Sequence, residues 1–195
     1  KEEKLSLKRI ISGGMLLLLA EMMASLILAL DRQFVSVLYD IDTYSLYSFA
    51  YSMLKIIVLA VSAVSNIIYP TLKRMGQEEM QQSYKYSLCV VGMLSIACQL
   101  AYYPLCLIVE FFLPDYLGSL PIFRILFPGI TINLIISLLM VNHYKALKKQ
   151  GLCFGITVVV LVISFGLNCG AYFIFRRPIG FSAASVLTML VWYVL

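Results

Sequence analysis

The chain has 195 residues, 62% of them hydrophobic and 13% charged, with a mean hydropathy of +0.93 and a net charge of +5. Soluble domains run nearer to about half apolar and a quarter charged. This composition therefore excludes a single water-soluble core and points to an integral membrane protein. In such a chain the basic residues report orientation first, so the positive balance is not a nucleic-acid signal.

A span needs about 20 mostly apolar residues. The first covers 10–30 and is no signal peptide, because it lacks a small-residue cleavage site and further spans follow. The second covers 44–69 and is expected to stop at Pro70. The third covers 84–113, with Pro104 inside it as a kink. The fourth covers 121–144, Pro121 suiting the first helical turn. The fifth covers 152–175, and the sixth starts near Gly180 and is unfinished at Leu195. Backbone polar groups in lipid must be satisfied internally, so these are helices; the short alternating segments of a barrel are absent. The expected fold is all-α, a single polytopic bundle of about six transmembrane helices over residues 1–195. A start at Lys1 and an apolar stretch cut at Leu195 are what part of a longer chain would show.

The connections alternate in charge. The tail carries Lys1, Lys4, Lys8 and Arg9; the second connection carries Lys73, Arg74 and Lys85; the fourth carries Lys145, Lys148 and Lys149. These are ten of the 15 basic residues. The positive-inside rule places them, and the N-terminus, in the cytoplasm of a cell-membrane protein. Asp31, Asp40, Asp42 and Asp115 fall on the opposite side, with Arg176-Arg177 dissenting.

Inside the spans, polar residues form stripes. On a helix Ser48, Ser52, Lys55, Leu59, Ser62 and Asn66 share one face, with Ile56, Ile57, Val61, Val64 and Ile68 turned to lipid. Glu21, Ser25 and Arg32 share a face of the first span. Glu21 and Lys55 are both near midspan, where each would cost roughly 2.5–3.5 kcal/mol against lipid, so a contact between them is a natural expectation. The third span adds Gly92, Ser95, Gln99, Cys106 and Glu110; the fourth adds Asn133 and Ser137, with Asn142 and His143 at its end. Small and polar residues in membrane helices often only pack helices together. That reading is favoured for Gly13-Gly14, Gly151 and Gly155, and Trp192 reads as an interface or packing aromatic. The cysteines Cys89, Cys98, Cys106, Cys153 and Cys169 have neither zinc spacing nor a secreted framework and read as packing residues. With one histidine, no phosphate loop and no nucleophile elbow, the sequence shows no catalytic, metal or cofactor constellation.

Several segments resemble polysaccharide and oligosaccharide-lipid flippases. "DRQFVSVLYDIDTYSLYSFAYSMLKI" resembles that family's span ending in Asp (Asp31) followed by Tyr-Ser-x-Ala (Tyr47 to Ala50). "NIIYPTLKRM" resembles its Tyr-Pro and basic loop, and "LPDYLGSLPIFRIL" its Tyr (Tyr116) before Arg-x-Leu (Arg124). "GLCFGI" and "IGFSAASVLTML" resemble its last two helices, departing at Ser182, where a second glycine is expected. The resemblance implies the C-terminal lobe of a two-lobe exporter in the superfamily that also holds multidrug exporters. It implies movement of an undecaprenyl-pyrophosphate-linked oligosaccharide, with cavity cations neutralising the pyrophosphate. Candidate substrate-binding residues are then Lys55, Ser48, Ser52, Ser62, Asn66, Arg32 and Arg124. Glu21 is the candidate for coupling to a proton or sodium ion. The implied partners are that lipid-linked substrate and membrane lipids, with no nucleic acid. The competing readings are a multidrug-type exporter, a membrane scaffold whose stripes pack with no cavity, and a membrane glycan transferase, which would need a larger loop.

Overall fold

The computed structural model describes residues 2–74, 77–141 and 150–195, with side chains over most of 14–59, 88–140 and 151–195. Every regular element among them is helical: α1 Glu2–Ile27, α2 Leu30–Leu38, α3 Ile41–Arg74, α4 Gln77–Leu100 and α5 Tyr102–Phe112. A 3-10 segment, Pro114–Ser119, leads into α6 Leu120–Ile135, which continues as a π-helix, Ile136–Val141; α7 Gln150–Phe175 and α8 Pro178–Val194 close the chain.

Three stretches are long and apolar enough to cross a membrane: Val91–Phe112, Pro114–Ile135 and Gly151–Phe175. A fourth arises if the bent pair Gly14–Ile27 and Leu30–Leu38, which meet at 42°, form one span. The described residues are thus all-helical, with three or four apolar stretches of membrane-spanning length, as in a membrane protein. Many large apolar side chains face outward, among them Leu18, Met22, Val37, Ile56, Phe111 and Phe173. Lipid tails solvate such groups as well as a core does, so the bundle is held by close packing and hydrogen bonds instead.

The helix α6 is central. It packs against α3, α4 and α8, while α7 packs against α1 and α8. Ile122, Leu126, Ile130 and Leu134 recur every fourth residue along it and, with Phe123 and Phe127, supply half of the main buried cluster. Val35, Tyr47, Ala50, Leu54, Val91 and Phe181 complete that cluster. A second cluster, Ile27, Ile136, Val160 and Trp192, joins α1, α7 and α8 beside the π-helix, so Trp192 is a packing residue. Buried hydroxyls are spent on the helix carbonyl one turn back: Thr157 donates to Cys153 and Thr188 to Ala184, each at 2.9 Å.

Several expectations need correction. Asp31 is not in an outer loop; it lies in the first turn of α2 and is only 1% exposed. The second span does not stop at Pro70, since α3 runs on to Arg74. A proline inside a helix forfeits one backbone hydrogen bond and strains one turn, which a 34-residue helix tolerates here. Ile57 is not turned to lipid but packs against the main cluster. A Cβ added at Gly14, Gly151 or Gly155 would meet nothing within 4 Å, so these are not close-packing positions. The tight approaches are at Gly118, where Leu46 Cδ1 would be 2.9 Å away, at Gly129, where Met189 Sδ would be 3.1 Å away, and at Gly180, where Phe175 Cβ would be 2.8 Å away. The third span does break near its proline. Pro104 has no N–H for the Leu100 carbonyl, and the helix parts at Ala101 into α4 and α5.

Candidate functional site

The first long helix also breaks, at Leu28–Ala29, with no proline near it. The Ala29 N–H reaches back only three residues, to Leu26, at 3.0 Å. In a continuous helix the Arg32 N–H would serve the Leu28 carbonyl. Here that N–H donates to the Asp31 carboxylate at 2.7 Å, and the Leu28 carbonyl accepts from the Tyr51 hydroxyl of α3. The break is thus held open by one side chain of α2, Asp31, and one of α3, Tyr51.

Asp31 gathers three donors. The Tyr47 and Ser185 hydroxyls both donate to Oδ2 at 2.7 Å, and the Arg32 amide takes Oδ1. One carboxylate therefore ties α2 to α3 and α8. A buried carboxylate without such donors would be strongly disfavoured, and its place in the first turn of α2 sets it at the positive end of the helix dipole. Tyr47 and Tyr51 are four residues apart, so α3 presents both hydroxyls to this junction from one face. Phe34 of α2 and Tyr39, the residue that follows α2, flank Phe181 of α8 at 6.0 Å, closing the far side with aromatic rings.

Beside this junction lies a cavity of about 180 Å³. Its lining includes Asp31, Arg32, Tyr51, Lys55, Asn133 and Ser185. The Arg32 guanidinium sits over the Tyr51 ring, 5.1 Å from its centre, and its Nε is buried with no hydrogen-bond partner. Lys55 is exposed and Arg32 half-buried. Two cations, one carboxylate, an amide and hydroxyls thus converge on one space inside an otherwise apolar bundle. The π-helix begins three residues after Asn133, and such turns recur at functional sites.

The residues singled out from sequence are divided by the fold. Lys55 and Arg32 line the same cavity. Ser48 and Ser52 belong to a separate shallow groove with Tyr44 and Tyr116, so the α3 stripe does not face a single space. Arg124 is on a third groove, between α4 and α6. Glu21 is exposed one turn before Ser25, whose hydroxyl donates to the Glu21 carbonyl at 2.9 Å, and it is not in the cavity lining. The side chains of Ser62, Asn66, Val61, Val64 and Ile68 lie outside the described residues, as do Asn142, His143 and the side chains of the basic tail and loops. Sequence reasoning missed Tyr51 and Ser185. The i, i+4 tyrosine pair was the available signal for the first; nothing local marks Ser185, 154 residues from Asp31. Among the described residues no group of three His, Cys, Asp or Glu could hold a metal ion. No protein-family model, curated protein or solved structure matches the chain.

Proposed function

We propose that this chain is one lobe, of about six spans, of a two-lobe exporter that moves an undecaprenyl-pyrophosphate-linked oligosaccharide across the cytoplasmic membrane, its N-terminus on the cytoplasmic side. The observation that carries this reading is the pairing of Arg32 and Lys55 on one cavity within a membrane bundle. Intramembrane charges are costly and mark substrate or ion paths. Here no oligosaccharide is needed to explain the bundle's packing, but an anion explains why two cations share a cavity. A pyrophosphate supplies two or more negative charges, and attraction to cations strengthens as water is excluded. Arg32, seated over the Tyr51 ring, presents the fork suited to phosphate oxygens; Lys55 adds a point charge. The Asn133 amide, on the same cavity, is placed to donate to a remaining oxygen. Alternating access would be rocking of this lobe against its counterpart.

An intramembrane carboxylate would couple that motion to a proton or sodium ion. Glu21 is one candidate; the buried Asp31, next to Arg32 in sequence and lining the same cavity, is the other. Asp31 also favours a second reading, a cation-coupled multidrug-type exporter of the same superfamily. Export measured at matched protein level separates them. Lys55→Arg is expected to retain part of the oligosaccharide-lipid export and Lys55→Gln to lose most of it. Equal export by wild type and Lys55→Gln removes Lys55 from the substrate path. A normal gradient response in Glu21→Gln, with loss in Asp31→Asn, assigns coupling to Asp31 instead of Glu21.

A further inference from the structure

The groove between α4/α5 and α6 is separate from the Arg32 cavity and encloses about 500 Å³. Two prolines shape it. Pro104 deprives the Leu100 carbonyl of its helical donor, and Pro128, inside α6, does the same to the Arg124 carbonyl. Leu100, Arg124 and Pro128 all line this groove. Gln99 spans its floor, donating to the Phe127 carbonyl at 3.3 Å and to the Thr131 hydroxyl at 2.9 Å. Ser95, one turn below Gln99, is 8% exposed, and its hydroxyl has no partner. That contrasts with Ser25, Ser52, Thr157 and Thr188, whose hydroxyls all bond back to their own helix. Arg124 is exposed, no ion pair holds it among the described residues, and it stands in the second turn of α6. Tyr102 and Tyr103 line the same groove.

We infer that this groove binds one phospholipid whose headgroup is anionic and carries hydroxyl donors, as phosphatidylglycerol does. The phosphodiester pairs with Arg124, and headgroup hydroxyls serve the carbonyls that the prolines leave short of a donor. An acyl chain runs past the exposed side chains of Ile96 and Leu100, which form the apolar wall. In lipid every backbone polar group needs a partner, and this headgroup supplies an anion and donors together. The fit comes from charge and hydrogen-bond complementarity, and it does not depend on the exporter reading.

The test is native mass spectrometry of the purified chain released from mixed micelles of dioleoyl phosphatidylglycerol and dioleoyl phosphatidylcholine. Phosphatidylcholine has the same phosphodiester but no headgroup donor. The wild type is expected to retain one phosphatidylglycerol in preference to phosphatidylcholine. Arg124→Gln, an exposed site that leaves the core untouched, is expected to lower that retention about fivefold, the effect of one interfacial cation. Arg177→Gln, an exposed arginine at the α7–α8 turn, should change nothing. Pro128→Ala restores an N–H to the Arg124 carbonyl and should narrow the preference between the two lipids. Equal retention in wild type and Arg124→Gln overturns the proposal, as does displacement of the lipid by millimolar inorganic phosphate, or no lipid retained by either protein.

Discussion

Two long helices of this bundle are broken, one at Leu28–Ala29 and one at Ala101, and the chain achieves the two breaks by opposite means. At Ala101 the cause is covalent and local. Pro104 lacks a donor, the Leu100 carbonyl goes short, and an open groove borders the gap. At Leu28 no residue forbids a helix. The break persists because Asp31 captures the Arg32 amide and Tyr51 reaches across to the carbonyl so released. The first break would form in an isolated helix; the second exists only when α2, α3 and α8 are together. A break held by tertiary hydrogen bonds can be undone by changing those bonds, which is the property a moving substrate site requires.

The largest expected effect follows from removing the tertiary anchor. Asp31→Ala leaves the Tyr47 and Ser185 hydroxyls and the Arg32 amide without their acceptor in a buried site. It should cost about 3 kcal/mol or more, read from unfolding in mixed detergent. A loss below about 1 kcal/mol would place the origin of the break elsewhere. Tyr51→Phe removes the donor to the Leu28 carbonyl and one edge of the Arg32 seat, at a smaller cost of about 1 kcal/mol. Amide exchange at Arg32 should rise with it, because the bend loses one of its two supports.

Pro104→Ala tests the other break. With the donor restored, α4 and α5 should join, with stability unchanged or raised by up to about 1 kcal/mol. Spin labels at positions 96 and 111, both exposed, should then move apart. No single change that only adds a backbone donor should straighten the Leu28 bend in the same way.

How far the sequence revealed this fold follows the same division. The spans near 91–112 and 151–175 were legible from apolar length, and the break near Pro104 from one residue type. The all-helical class followed from the need to satisfy backbone groups in lipid. Asp31 was misread as a loop residue because a carboxylate at the end of an apolar run usually meets water. Only the hydroxyl of Ser185, brought from the last helix, and that of Tyr47 make its burial tolerable. Lys55 and Arg32 were visible as cations on helical faces, but their convergence depends on the bend between α1 and α2. Ser48 and Ser52 share a face with Lys55 by spacing, yet α3 is long enough for its two ends to meet different neighbours: at 1.5 Å per residue it extends about 50 Å.

The smallest effect contrasts two aspartates nine residues apart. Asp40 precedes α3 and caps it, accepting from the Thr43 hydroxyl at 2.8 Å and the Thr43 amide at 3.4 Å. These hydrogen bonds to Thr43 hold its carboxyl below the ordinary value of 3.8. A carboxyl lowered on folding stabilises the fold above its unfolded value, and that contribution fades as pH falls through the lower folded value. Wild type should therefore exceed Asp40→Ala in stability at neutral pH, with the difference vanishing in strong acid. A difference that persists in strong acid would show that Asp40 acts through something other than its charge.

The central claim, that Arg32 and Lys55 form an anion site distinct from the Arg124 groove, is tested most directly by calorimetric titration with farnesyl pyrophosphate. This short prenyl pyrophosphate carries the charged group without the sugar. Wild type and Arg124→Gln should bind it equally, while Arg32→Gln and Lys55→Gln should each weaken binding about tenfold, the loss of one charge-assisted contact. Unchanged binding in both Arg32→Gln and Lys55→Gln, or a loss confined to Arg124→Gln, would contradict the account.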